Sequence, residues 1–162
     1  MHNLRLNNKR RMIVLFSILL LFFFSTILVP FWFINYLSLS GVGHFFIENR
    51  FYSIISASII IYFIIVGEYY YNIKIDAYII QVRSYRVVLD FLRQKNYVDI
   101  PHSMLVGYAF FNRPFSFNKT LMLKIRTDRG RVIARRFNLT LISEREVRKT
   151  ASILETIMDK NK

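Results

Sequence analysis

Between Met12 and Ile47 the chain carries no Asp, Glu, Lys or Arg. The first part of this run, Met12 to about Ile34, is almost wholly Leu, Ile, Phe and Val. It exceeds the roughly 20 residues a helix needs to cross ~30 Å of hydrocarbon. A second uncharged run, Phe51 to Gly67, is fenced by Arg50 and Glu68. Its centre, Ile59 to Val66, is apolar on every side, and the rest of the chain is too small to wrap such a helix. These runs predict a transmembrane helical hairpin over 12–71, with spans at about 12–34 and 51–70 and a short external loop at 35–50. A cleaved signal peptide fits the first run less well, because the run is too long and no A-x-A-like site follows it.

Charge sets the expected orientation. Of the net +13, the tail at 1–11 supplies Arg5, Lys9, Arg10 and Arg11, and the loop carries only Glu48 and Arg50, which cancel. The remaining excess lies after Gly67. The positive-inside rule then places both termini in the cytoplasm of a multi-pass protein in a bacterial inner membrane, with the lipid bilayer as its first partner. Phe31, Trp32, Phe33, Tyr36, Phe45, Phe46, Phe51 and Tyr52 fit an outer aromatic belt, and Tyr69, Tyr70 and Tyr71 an inner one. Neither span contains a charged residue, which argues against a lone channel or pump. Ser53 and Ala57 form a small-xxx-small pair suited to helix packing, against the first helix or a partner.

From residue 72 to 162 the pattern changes to short alternating runs. Ile73, Ile75, Ala77 and Ile79 alternate as a strand, and the register then switches to Ile80 and Val82, as a bulge would make it do. Residues 85–92 fit either a strand or a helix face. Leu121, Leu123 and Ile125 alternate towards Thr127-Asp128-Arg129-Gly130, after which Val132 and Ile133 restart an apolar strand. Gly130 can supply the positive φ of a tight turn. Ser143-Glu144-Arg145-Glu146 has the form of a helix capping box, and Val147, Ala151, Leu154, Ile157 and Met158 recur on one face.

Taken together, Ile79–Arg83, Val98–Val106, the hairpin Leu121–Phe137 and the capped helix Ser143–Met158 resemble the bacterial pleckstrin-homology-like domains found after two-helix membrane hairpins. The resemblance implies an α+β protein: a transmembrane hairpin, then a small antiparallel β domain closed by a C-terminal amphipathic helix. Eukaryotic-type members bind phosphoinositides through basic residues on their opening strands. Here that region offers Lys74, Arg83 and Arg86 without a matching motif.

Little in the sequence asks for catalysis. Without cysteine there is no disulfide, zinc ribbon or thiol nucleophile. His2, His44 and His102 fall in separate predicted regions and cannot share a metal, and no glycine spacing makes a phosphate loop. No catalytic, cofactor-binding or metal-binding residue is assigned, and an enzyme would need a substrate pocket near His102. What remains is a basic hairpin: Lys124, Arg126, Arg129, Arg131, Arg135 and Arg136. It lacks the interleaved aromatics of a nucleic-acid site. The expectation is a non-catalytic membrane adaptor or accessory protein, whose basic domain docks a protein partner or anionic phospholipid. The alternative is a structural subunit that lends its helices to a larger transport or envelope-assembly complex.

Overall fold

The computed structural model describes residues 3–28, 50–87 and 96–161. The chain forms two compact units: Met1–Lys9 with Glu68–Lys162, and Arg10–Gly67.

The helical unit overturns the transmembrane hairpin. Helix α1 covers Lys9–Phe23 and passes into a π-helical turn at Phe24–Leu28, and helix α2 covers Arg50–Val66. At 1.5 Å per residue α1 and α2 are about 23 and 26 Å long, short of the ~30 Å of a hydrocarbon layer. Among the described residues no helix is long and apolar enough to cross a membrane. The expected multi-pass inner-membrane placement, with its cytoplasmic termini, therefore loses its basis. The sequence reading counted apolar residues without seeing where regular α-helix gives way. That happens where Ser25 and Thr26, both poor helix formers, interrupt the Leu/Phe run. The expected external loop and most of the outer belt lie outside the described residues. Both helices present apolar side chains outwards, including Val14, Leu21, Phe51, Ile54 and Ile65.

The other unit is built from two antiparallel sheets. In the first the order is β1-β2-β3-β4, from Leu4–Asn7, Tyr69–Ile75, Ile79–Arg86 and Asn96–Pro101. The second has the order β5-β6-β7, from Leu105–Asn112, Asn118–Arg126 and Val132–Thr140. Period-2 alternation builds the core: Tyr71, Ile73 and Ile75 on β2, Ile80 and Val82 on β3, and Leu121, Leu123 and Ile125 on β6 are all buried. Each fully buried aliphatic side chain contributes about 1.5–3 kcal/mol. Helix α3, Glu144–Lys160, buries Thr150, Leu154 and Ile157. Its capping box is formed, with the Glu146 amide donating to Ser143 Oγ and the Ser143 amide to the Glu146 carboxylate at 2.8 Å. Tyr108 on β5 ties this helix to the sheet by donating to Glu155 Oε1 at 2.8 Å. Burial first, then the neighbouring Glu155, push the Tyr108 phenol up to about 12.

Three details differ from the sequence reading. Leu4–Asn7, read as part of a basic tail, is the edge strand β1, in register from Leu4↔Ile75 to Asn7↔Asn72. Tyr69, Tyr70 and Tyr71, read as a membrane-interface belt, open β2, and Tyr71 is fully buried. The switch of alternation after Ile79 is a hairpin rather than a bulge: Ile75 pairs with Ile80, and the Asp76 amide donates to the Ile79 carbonyl at 3.0 Å. The ambiguous stretch 85–92 is strand to Arg86 and turn at Val87, and its remainder lies outside the described residues.

Candidate functional site

The β6–β7 hairpin carries the six basic residues singled out in the sequence, and its register divides them. Side chains of directly paired residues share a face. Leu121 pairs with Phe137, Leu123 with Arg135 and Ile125 with Ile133, so these belong to the core-side row. Met122 pairs with Arg136, Lys124 with Ala134 and Arg126 with Val132, so these belong to the outer row. Lys124, Arg126 and Arg136 therefore lie together on the outer face, all exposed. The Lys124 stem runs over Gly107 of β5, where a side chain at Gly107 would meet its Cδ at 3.6 Å. Arg135 is exposed too but belongs to the opposite row, where the first half of β7 has left the core.

Arg129 and Arg131 occupy the turn that joins the strands. The Thr127 amide donates to the Arg131 carbonyl and the Gly130 amide to the Thr127 carbonyl, each at 2.8 Å. Gly130 sits at φ 75°, as the sequence predicts for this turn. None of the six basic groups has an ion-pair partner among the described residues. The surface is thus a strip of cations on a rigid two-strand support, continued round the turn by two arginines. It attracts carboxylates or phosphates, and guanidinium groups can bind them in bidentate fashion.

Other basic residues are already engaged. Lys119 forms an ion pair with Glu144, which holds the Glu144 carboxyl below its usual range. Arg83 stacks over Tyr97 at 4.7 Å, and Tyr97 donates to Asp99 at 2.7 Å. The small-residue pair on α2 is only partly placed: Ala57 is half-buried, while the Ser53 side chain lies outside the described residues. Beside Ala57, Ser56 is buried and Ser58 donates to the Ile54 carbonyl at 2.8 Å.

A cleft of about 210 Å³ does open at His102, between the Asp76–Tyr78 turn and Ile153, Thr156 and Lys160 of α3. Burial lowers the pKa of His102, a backbone hydrogen bond with Asp76 opposes this, and Lys160 adds to the lowering. The balance favours the neutral imidazole. The Thr156 hydroxyl donates to the Ser152 carbonyl at 2.9 Å, so no base activates it. Among the described residues no three His, Cys, Asp or Glu side chains gather to hold a metal.

Two features escaped the sequence reading. The first is a buried polar cluster at the β1–β2 end of this unit. The Asn8 amide donates to the Tyr69 carbonyl at 2.9 Å and the Thr140 carbonyl at 3.0 Å, while its oxygen accepts from the Tyr71 amide at 3.0 Å. The Thr140 hydroxyl accepts from the Tyr69 amide at 2.7 Å and donates to Asn118 Oδ1 at 2.5 Å. The second is the exposure of two rings, Phe115 at 94% and Phe117 at 59%, on the β5–β6 loop beside it; the Pro114, Ser116 and Asn content of 112–118 predicts the loop, but not the exposed rings. The available signal was a phenylalanine-rich stretch, Phe110-Phe111-Asn112-Arg113-Pro114-Phe115-Ser116-Phe117, that alternates with neither period. No family model, curated protein or solved structure matches the chain.

Proposed function

We propose that the chain is a non-catalytic docking protein whose basic β6–β7 face binds an acidic surface of a protein partner. The observation that carries this reading is the exposed row of Lys124, Arg126 and Arg136, continued by Arg129 and Arg131 and unmatched by carboxylates among the described residues. Of the six basic residues singled out on the hairpin, five are arginine. Attraction to an anionic lipid sheet treats Lys and Arg alike, whereas protein interfaces are enriched in arginine. Apolar Met122 and Ala134 lie within the same row, the mixture of apolar centre and charged rim that interfaces use. Two antiparallel sheets closed by a C-terminal helix also support the pleckstrin-homology-like resemblance, a fold-level argument that names no partner.

The test is purification of the tagged full chain with its partners, beside the triple reversal Lys124→Glu, Arg126→Glu, Arg136→Glu. A control reverses Arg145 and Arg148, which are exposed on α3. A stoichiometric partner that is lost in the triple variant and kept in the control supports docking through this face. The same partners on all three chains would remove the proposal.

A further inference from the structure

Strand β7 has β6 on one side, and its other edge divides into two halves. The bonds to β6 belong to the odd-numbered residues of β7. At the two ends of the ladder the Thr127 amide donates to the Arg131 carbonyl and the Leu141 amide to the Phe117 carbonyl. In an antiparallel pair the intervening residues turn their N–H and C=O groups the other way. Val132, Ala134, Arg136, Asn138 and Thr140 therefore address the edge away from β6.

The fold closes the later half of that edge with one side-chain donor per carbonyl. Asn96 Nδ2 donates to the Arg136 carbonyl at 3.5 Å, Ser84 Oγ to that of Asn138 at 2.6 Å, and Asn8 Nδ2 to that of Thr140 at 3.0 Å. Among the described residues no group does this for Val132 or Ala134. From Val132 to Arg136 every residue is exposed on both rows, although Leu123 and Ile125 across the ladder stay buried. The early half of β7 is thus a sheet edge with no further strand beside it among the described residues.

Such an edge can accept an extended chain, whose backbone continues the ladder while its side chains fall on alternate faces. Charge selects which chain. An added strand would set one row of side chains beside Arg136, with Lys124 and Arg126 one strand further on. It would set the other row beside Ile133 and Arg135. Opposite charges on neighbouring strands attract, and like charges repel. From residue 129 to 136 the chain has four arginines and no Asp or Glu. A second copy of this edge would meet arginine with arginine, whereas an acidic segment finds a cation on either face.

We propose that the Val132–Arg136 edge of β7 takes an extended acidic segment of a protein partner as an additional strand. This rests on the reading of the hairpin as a docking element and specifies how it docks. Main-chain bonds at Val132 and Ala134 hold the segment, and the surrounding cations choose it. Arg135, which the outer face leaves out, contributes from the opposite row.

The probe is a fluorescein-labelled peptide of alternating Glu and Val, titrated by anisotropy against the full-length chain. Ala134→Pro removes one edge-facing N–H and keeps every charge and every bond to β6. The expected result is binding to the parent that weakens about tenfold in Ala134→Pro, the loss of a main-chain bond. In the unsubstituted chain, where no folding defect can intervene, the peptide should slow amide exchange at Val132 and Ala134. Equal affinity for the parent and Ala134→Pro, or unchanged exchange at both amides, would overturn the proposal. So would an absence of binding to the parent. If binding is nonetheless lost in the triple reversal Lys124→Glu, Arg126→Glu, Arg136→Glu, the edge fails and the basic face stands; indifference to both variants sinks the two together. A dimer of the peptide-free chain that Ala134→Pro dissolves would give the edge to a second copy, and would overturn the proposal as well.

Discussion

The two ends of the three-stranded sheet meet the same backbone demand with different residues. At the basic end the turn needs a positive φ, and Gly130 supplies it at 75° without steric cost. At the aromatic end the loop also needs a positive φ, and Phe115 takes it at 55° with its ring almost wholly exposed. The first end is shaped for stability, with a closed turn whose arginines are simply carried. The second accepts local strain and apolar exposure together, against the tight polar clamp of Asn8, Thr140 and Asn118 beneath it.

The comparison can be broken first at its clamp. Asn8→Ala leaves the Tyr71 amide and the Tyr69 and Thr140 carbonyls without their buried partner, a loss of about 3 kcal/mol in chemical denaturation. Amide exchange in Asn8→Ala should accelerate at Tyr71 before it does at Thr127 of the distant turn; uniform acceleration would mean the two ends do not differ in support. Gly130→Ala comes next. No atom lies within 4 Å of the added methyl, so the cost is backbone strain alone, about 1 kcal/mol. The complementary change, Phe115→Gly, relieves strain but frees the unfolded chain, for a net gain of about 0.5 kcal/mol. A loss on Phe115→Gly would show that the ring is packed in the fold and would undo the contrast. Smallest of all, Arg129→Glu with Arg131→Glu should leave stability within ~0.5 kcal/mol, since both side chains are exposed and unpaired among the described residues.

A pH dependence sharpens a different part of the same unit. Burial raises the pKa of the Glu68 carboxyl, whose two oxygens have no hydrogen-bond partner among the described residues. The neutral acid is therefore the form the fold prefers. That preference is fully present below 4.5 and is lost as pH rises through the folded pKa. Glu68→Gln should thus be more stable than the parent at pH 7, with the difference shrinking towards pH 4 in parallel melts. A difference that does not change with pH would assign the effect to packing instead of charge.

Signals that act within a few residues were legible. The alternation of Leu121, Leu123 and Ile125, the turn glycine and the Ser143–Glu146 box each specify local geometry, and each is present. Signals that depend on distant partners were not. Strand β1 is four residues long and finds its pairing only with β2, so nothing around Leu4–Asn7 marks it as more than a tail. The basic cluster was visible as charge, but adjacent Arg135 and Arg136 part to opposite rows, and only the register with Leu123 and Met122 decides which goes where. Asn8 reads in sequence as one of several polar residues near the start, yet its value comes from three backbone groups more than sixty residues away. The apolar runs misled in the other direction: a count of hydrophobic residues measures length along the chain, not how much of it is continuous α-helix.

The pairing of β1 with β2 also imposes an order of events on synthesis. Leu4 leaves the ribosome about 70 residues before Ile75, the residue it pairs with. At ~5–20 residues per second that is a wait on the order of 5 s. During it the helical unit emerges in full while the first strand has no ladder to join. The sheet's edge is made first and installed late, and that interval is when a chaperone or a competing strand would have its opportunity to capture Leu4–Asn7.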